Sequence, residues 1–195
     1  MLVVALATLA VSGVAPKERF TWFLEIVPAV IALPILVATY RRFPLTDLLY
    51  VLIAVHVAIL ALGGHYTYAE VPLGFWVKDA LHLARNHYDR VGHFAQGFVP
   101  ALVAREIVTR KHVMKSPRWV AVFVLSFCLA VSALYELFEW WTAVFTSDGA
   151  TAFLGTQGDP WDTQWDMFMC LVGASTALIT LSGFHDRQMK KLAGS

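Results

Sequence analysis

The sequence predicts an all-α integral membrane protein, built as a single domain of six transmembrane helices with a short interfacial helix at the outer face. Composition is the first observation: of 195 residues, 58% are hydrophobic and only 15% are charged, and the mean hydropathy is +0.61. Soluble domains carry about 25% charged residues. The second observation is a series of long apolar runs, and the third is the grouping of basic residues between them. This composition excludes a disordered chain and disfavours a soluble enzyme.

The charge balance and the cysteines point to no nucleic-acid or redox function. Fifteen basic and 14 acidic residues give a net charge of +1, and no basic run alternates with aromatic residues as nucleic-acid binding requires. Cys128 and Cys170 both fall in apolar runs, without the spacing of a metal or redox motif. We interpret both as small buried hydrophobic residues.

Six apolar runs are the candidate spans, because about 20 helical residues cross a bilayer core about 30 Å thick. The first has no basic residue ahead of it, so we interpret it as a span rather than a secretory signal peptide. The second contains Glu25, Pro28 and Pro34, and its prolines predict a kink. The spans cover residues 1–15, 21–40, 45–62, 89–108, 119–145 and 163–184.

The basic residues predict the orientation of these spans. Ten of the 15 lysines and arginines follow the second span, surround the end of the fourth or follow the sixth. Cytoplasmic segments are enriched in Lys and Arg. All three segments share one side only if six spans exist and both termini are cytoplasmic. We therefore predict a bacterial inner-membrane protein with cytoplasmic termini.

Two long connections fall on the outer side. The first contains residues 73–85, where aromatic and aliphatic residues alternate with Lys78, Asp79 and Arg85. This mixture is typical of a short helix lying in the membrane interface. The second, residues 146–162, is rich in glycine and includes Pro160, so we predict a turn-rich loop.

Ionisable residues occur inside three of the spans, although each costs about 2.5–3.5 kcal/mol at the centre of a membrane helix. Their spacing places them on one face of each helix, and counting from the outer ends gives similar depths. We therefore expect the three helices to bring them into one cluster near the outer face. These residues are Asp89, His93 and Gln96 on the fourth span, Glu136 and Glu139 on the fifth, and Asp162 and Asp166 on the sixth.

Two interpretations of this cluster remain open. In the first, His93, Glu136, Glu139 and Asp166 bind a divalent metal ion, since imidazole and carboxylate groups bind metals in helix bundles. In the second, some carboxyl groups are protonated and Arg90 pairs with an acid. That network stabilises helix packing without a reaction.

The segment after the third span is a candidate lid. Gly63 and Gly64 predict a tight exit from the helix, and His65 and Tyr66 then fold over the cluster. Alternatively, the tyrosines belong to an aromatic belt at the membrane surface, which we favour for Tyr68. Gln96, Asp159 and Asp162 complete the predicted substrate or lid residues.

Other ionisable residues have simpler interpretations. Glu25 is either a packing residue or a further member of the cluster. His56, alone on an apolar span, is interpreted as a hydrogen-bond donor between helices. His112 and His185 lie in basic segments and need no special role.

Three blocks of sequence carry a family resemblance: residues 88–98 (YDRVGHFAQGF), 135–140 (YELFEW) and 155–167 (GTQGDPWDTQWDM). They resemble the YjdF-type inner-membrane proteins, small multi-pass bacterial proteins of unassigned function. More distantly, they resemble the VanZ-like superfamily, which is associated with resistance to a glycopeptide antibiotic. This sequence departs from the VanZ-like pattern at Arg90, Glu139 and Cys170, where that pattern has Lys, Gln and Asn. The resemblance implies the fold and the position of the site, but no reaction.

Three functional hypotheses follow. The leading one is a membrane-embedded enzyme, or enzyme-like binding site, that acts on a lipid or envelope precursor. Its partners are then membrane lipids or a lipid-linked substrate, and its cofactor a divalent metal ion. The alternatives are a small proton-coupled transporter that uses the same acids as a relay, and a structural or regulatory membrane protein. The candidate catalytic residues are Asp89, Arg90, His93, Glu136, Glu139 and Asp166.

In the leading hypothesis each group has a role. A carboxylate of Glu136 or Glu139 acts as base or metal ligand, and His93 binds the metal or shuttles a proton. Arg90 attracts a phosphate headgroup. The sequence does not indicate the oligomeric state.

Overall fold

The computed structural model describes residues 1–145 and 156–193, and within these ranges the chain is helical with no strand. A short 3-10 helix, Tyr68–Glu70, lies between the third and fourth α-helices. Residues 146–155 of the predicted turn-rich loop lie outside the described residues. The α-helices of the described ranges are α1 Leu2–Ser12, α2 Arg19–Thr39, α3 Asp47–Tyr66, α4 Pro72–Ala80, α5 Tyr88–Arg110, α6 Pro117–Phe145 and α7 Asp162–Ala193.

Four of these helices, α2, α3, α6 and α7, are long and apolar enough to cross a membrane. The apolar helix α1 has only 11 residues, a length of about 16 Å, which is shorter than a bilayer core. Helix α5 has 23 residues but is too polar to count by composition. The all-α membrane fold is confirmed, and four of the six predicted spans are supported.

Helix α5 lies at the centre of the bundle and packs against α3, α6 and α7. On its other side, α3 packs against α1 and α2. Buried positions occur along the whole of α5, from Tyr88 to Val108. Neighbouring helices therefore surround the charged residues of α5, which explains how a polar helix fits inside an apolar bundle.

The contact between α5 and α7 is a close approach of two backbones. Gly97 of α5 lies against the carbonyl oxygen of Cys170, and Gly173 of α7 lies against the carbonyl oxygen of Phe94. A Cβ atom at either glycine would overlap the facing carbonyl group. Small residues allow membrane helices to approach closely, and van der Waals contact then holds them together.

Helix α2 begins at Arg19, two residues before the predicted span, and contains both prolines. Glu18 caps its first turn by accepting hydrogen bonds from the backbone N–H groups of Phe20 and Thr21. Partial burial raises the pKa of Glu18, but these hydrogen bonds outweigh burial and hold the pKa below its ordinary value. The helix then runs through both prolines without interruption to Thr39.

Two outer segments differ from their predicted bounds. Helix α3 does not end at Gly63 and Gly64 but runs on to Tyr66, and the chain turns at Thr67, which has a φ of 57°. Gly63 is needed for another reason, because the ring of Tyr68 occupies the space where its side chain would lie. Helix α4 ends at Ala80 rather than at residue 85 and exposes Trp76.

We predict that Gly173→Ala destabilises the protein by about 1–3 kcal/mol, because the added methyl group overpacks the interface between α5 and α7. Thermal unfolding of detergent-purified protein measures the change.

Gly183→Ala is the matched control on the same helix, since no described residue beyond the adjoining helix backbone lies within 4 Å of the position of its Cβ. Alanine is the better helix former, so this variant should unfold at the same or a higher temperature. Equal stability of the two variants would contradict a close backbone approach at Gly173.

Candidate functional site

Two arginines join the start of α5 to the start of α7. A nitrogen of Arg85 lies 2.6 Å from Asp162 Oδ1 and 3.5 Å from Asp159 Oδ2. Arg90 pairs with Asp166, and its Nη2 lies 2.8 Å from Asp162 Oδ1 and 3.4 Å from Asp159 Oδ2. Two guanidinium groups are therefore shared among three aspartates. The predicted pairing of Arg90 with an acid is confirmed.

His93 lies at the centre of the predicted cluster, which we call the outer polar cluster after its predicted side of the membrane: Asp89, Arg90, His93, Gln96, Glu136, Glu139, Asp162 and Asp166. Its Nε2 lies 3.5 Å from Asp89 Oδ1 and 3.8 Å from Asp166 Oδ1. Its Nδ1 lies 3.1 Å from Gln96 Oε1 and 3.9 Å from Glu136 Oε1. The predicted shared face of α5 thus exists, and both ring nitrogens face carboxylate groups.

The cluster contains two triads with the spacing of a metal site. Ligand atoms of Asp89, His93 and Asp166 lie within 4.8 Å of one another, as do those of His93, Glu136 and Glu139. All except the half-buried Asp89 are buried. Imidazole with carboxylates is a donor set suited to Zn²⁺, Mn²⁺ or Fe²⁺.

Charge is not balanced within the cluster. Across the described ranges, no guanidinium or ammonium group lies within 4.0 Å of Glu136 or Glu139. Glu136 Oε1 is buried and accepts no hydrogen bond from a described residue. Glu25 adds another buried carboxyl group, which accepts a hydrogen bond from the hydroxyl of Tyr135 at 3.3 Å. A bound cation or protons must offset this excess of carboxyl groups.

Two further buried residues, Tyr68 and Asn86, shape this region. Tyr68 is not part of an aromatic belt; it is buried between Gly63 and Gly92. Burial first, and then the carboxyl groups of Glu25 and neighbouring acids, raises the pKa of Tyr68 well above its ordinary value. Asn86 is also buried, and its Oδ1 accepts a hydrogen bond from the backbone N–H of Tyr88, the first residue of α5, at 2.9 Å. No sequence pattern marks Asn86 as a buried residue.

Of the predicted substrate or lid residues, Gln96, Asp159 and Asp162 lie in the cluster, but His65 and Tyr66 do not cover it. His65 Nδ1 lies 2.8 Å from the carbonyl oxygen of Ser12, and both His65 and Tyr66 line a groove between α1 and α3. The reason is that α3 continues through the glycines, so helical rotation turns His65 towards α1.

The structure also tests the interpretations of the two cysteines and of His56. Cys128 and Cys170 are buried free thiols, as predicted. His56 donates to no described helix, since its buried Nε2 has no hydrogen-bond partner there. It lines an apolar cavity between α2, α3, α5 and α6 instead.

A second groove runs beside the cluster. It has a volume of about 360 Å³ and lies between α4, α5 and α7. Leu73, Val91, Phe94 and Met169 contribute apolar walls, and Arg90 lies at its edge. An apolar chain lying in this groove would therefore end beside Arg90, the residue that pairs with Asp166.

At the opposite end of the bundle lies a second polar cluster that the sequence did not predict. We call it the inner polar cluster after its predicted side of the membrane; its members are Thr46, Arg105, Glu106, Arg110 and His185. Glu106 is fully buried and accepts from Thr46 Oγ1 at 2.8 Å, Arg110 at 2.6 Å and His185 Nε2 at 2.8 Å. Arg105 lies 3.3 Å from His185 Nδ1. The interpretation that His185 needs no special role is therefore wrong. The signal was Glu106 itself, an acid within an apolar span, four residues before Arg110.

The chain was compared with known proteins. The family described as "Predicted membrane protein (DUF2238)" matches residues 1–187. The "Inner membrane protein YjdF" of Escherichia coli (strain K12) is 52% identical over 180 residues, which are 92% of this chain and 86% of that protein. No solved structure matches.

We predict that Glu106→Ala lowers the stability of folding by about 3–5 kcal/mol, because it leaves His185 and Arg110 without their buried acceptor. Chemical or thermal unfolding in detergent measures this loss. Glu106→Gln should lose less, since its amide oxygen can still accept a hydrogen bond.

The control is Asp47→Ala, which removes an exposed acid at the same end of the bundle. Its cost should stay below about 1 kcal/mol. If Glu106→Ala and Asp47→Ala lose the same small amount of stability, the inner polar cluster does not hold the helices together.

Proposed function

Because the chain belongs to the DUF2238 family of membrane proteins, we propose that it is an inner-membrane protein whose outer polar cluster binds a divalent metal ion. We further propose that the bound ion serves chemistry on a lipid or envelope precursor. The ion would sit between His93 Nδ1, Glu136 and Glu139.

One observation carries this proposal. Glu136 and Glu139 are buried and have no basic partner other than His93 among the described residues. The Oε1 atom of Glu136 is also buried without a hydrogen bond from a described residue. A buried carboxylate without compensation is costly. A divalent cation would satisfy this oxygen and offset two negative charges at once.

The second triad then has a supporting role. Arg90 already neutralises Asp166, so a cation gains less on that side of the imidazole. With His93 Nδ1 on the metal, its Nε2–H points at Asp89, 3.5 Å away. A carboxylate in that position fixes the tautomer and orientation of a metal-binding histidine.

The neighbouring groove supports a lipid-linked substrate. Its apolar walls suit an acyl or isoprenoid chain lying beside the cluster, with the head of the molecule near Arg90. Arg90 would contribute less to headgroup binding than the sequence suggested, because three aspartates already pair with its guanidinium.

A proton-coupled carrier is supported less well. A carrier needs a polar path, yet Ala101, Leu102, Val124 and Ala174 are fully buried between the outer and inner polar clusters. These apolar side chains separate the two clusters in the conformation described.

Elemental analysis of detergent-purified protein tests the metal site. We expect about one divalent ion per chain, and the addition of Zn²⁺ or Mn²⁺ should raise the unfolding temperature of metal-depleted protein. Glu136→Gln and His93→Ala should lose most of the bound metal, because each removes one ligand of a three-ligand site.

Asp79→Asn is the control, since its carboxylate is exposed and outside the cluster, and it should keep the metal. Folding of each variant is checked by its unfolding curve without metal. Wild-type protein that neither retains a divalent ion nor gains stability from one would rule out the site.

We also propose that α1 and α5 lie within the membrane, completing the six predicted spans with both termini cytoplasmic. For α5, the support is its central position, because its neighbours α3, α6 and α7 are all candidate spans. A helix enclosed by spans would lie among them at membrane depth.

Single cysteines on either side of α5, in a Cys128→Ala/Cys170→Ala background, test this topology. Ala84→Cys and His112→Cys are at exposed positions that flank α5. In spheroplasts, a membrane-impermeant maleimide should label Ala84→Cys, but His112→Cys only after lysis. Lys190→Cys, also exposed, should behave like His112→Cys. Labelling of positions 84 and 112 from the same side would show that α5 does not cross.

A further inference from the structure

A groove at the inner end of the bundle has the features of a lipid site. It has a volume of about 980 Å³ and lies between the start of α1, the end of α2 and the start of α3. Leu2, Leu36, Val37 and Val51 form apolar walls. Val37 and Val51 are both more than half exposed, so the groove opens towards the lipid that surrounds these helices.

Two arginines stand at the polar end of this groove. Arg41 and Arg42 follow the last residue of α2, Thr39, and both are exposed. No carboxylate of a described residue lies within ion-pair distance of either guanidinium, not even that of Asp47 on the same rim. By contrast, Arg90 and Arg110 are paired with acids.

The depth of the groove matches the membrane surface. Helix α2 is 21 residues long, enough to cross the hydrocarbon core, so the residues just after it lie at the level of the lipid headgroups. Tyr40 and Tyr50 lie on the groove with ring centroids 6.0 Å apart. Tyrosine is enriched at this interface.

We propose that this groove binds an anionic phospholipid. The phosphate would lie against Arg41 and Arg42, whose planar guanidinium groups suit phosphate oxygens. An acyl chain would follow the apolar walls below. Basic pockets between membrane helices on the cytoplasmic side recognise anionic headgroups in this manner.

Two simpler roles of the arginines make different predictions. Both residues would help to orient the chain, and their charge favours the carboxyl end of α2. Neither role requires an apolar groove below the charges, nor a preference among lipids. A selective lipid site needs the apolar groove as well as the two charges. The test must therefore separate the effect of the groove from the effect of the charges.

Native mass spectrometry of delipidated, detergent-purified protein measures lipid occupancy directly. Phosphatidylglycerol should bind several times more than phosphatidylcholine, and Arg41→Gln/Arg42→Gln should reduce phosphatidylglycerol binding by at least about tenfold, because two charge-assisted contacts are lost. Val37→Trp should also weaken binding, because it fills the groove and leaves both arginines in place.

Lys190→Gln/Lys191→Gln is the matched control, since it removes the same charge at the end of α7 and should leave binding unchanged. Equal loss in both double variants would show attraction to charge alone and overturn the proposal. Unchanged binding in Arg41→Gln/Arg42→Gln would do the same. Displacement of the lipid by inorganic phosphate as effectively as by phosphatidylglycerol would show a phosphate site without an acyl-chain groove. The metal proposal is unaffected by any of these results.

Discussion

The close approach of α5 and α7 at Gly97 and Gly173 is the contact on which both polar clusters depend. In a membrane, lipid is as apolar as the helix surfaces, so helices associate through van der Waals contact and hydrogen bonds rather than hydrophobic burial. Because the two backbones touch near the middle, side chains of ordinary length meet at both ends. Arg90 reaches Asp166 at the outer end, and Glu106 reaches His185 at the inner end.

The two polar clusters differ in how completely their buried acids are paired. This difference distinguishes a network that stabilises the fold from a candidate binding site. Each oxygen of Glu106 accepts at least two hydrogen bonds, so the inner polar cluster is a completed network that holds helices together. In the outer polar cluster, Glu136 retains a buried oxygen without a partner among the described residues. Buried polar groups in folded proteins are normally satisfied. Thr21, His56 and Ser132 also bury an unpaired polar atom in the described part of the chain, but of these four residues only Glu136 does so within a group of side chains spaced to hold a metal ion, and this coincidence supports the proposed site.

Sequence reasoning predicted which side chains share a face of one helix and that three helices meet around His93. It missed contacts that depend on helix rotation or join distant parts of the chain. The shared face of Asp89 and His93 follows from helical geometry alone, and the structure shows it. The contact between Glu106 and His185 joins residues 79 positions apart, so no local pattern could predict it. The composition of α5 alone is too polar for α5 to count as a candidate span. A central helix can be this polar because other helices shield it, so it needs no apolar surface.

The aspartates of α7 also explain how an excess of negative charge persists beside an arginine. Arg90 lies one helical turn before His93, so a guanidinium free of the aspartates could turn towards the acids around the imidazole. Instead, Asp162 and Asp166 hold Arg90 at the start of α7. The imidazole then faces Glu136 without a competing cation. In the proposed metal site, the arginine–aspartate network would therefore have a second role beside the structural one: by holding the guanidinium of Arg90, it would leave the glutamates available to a divalent cation.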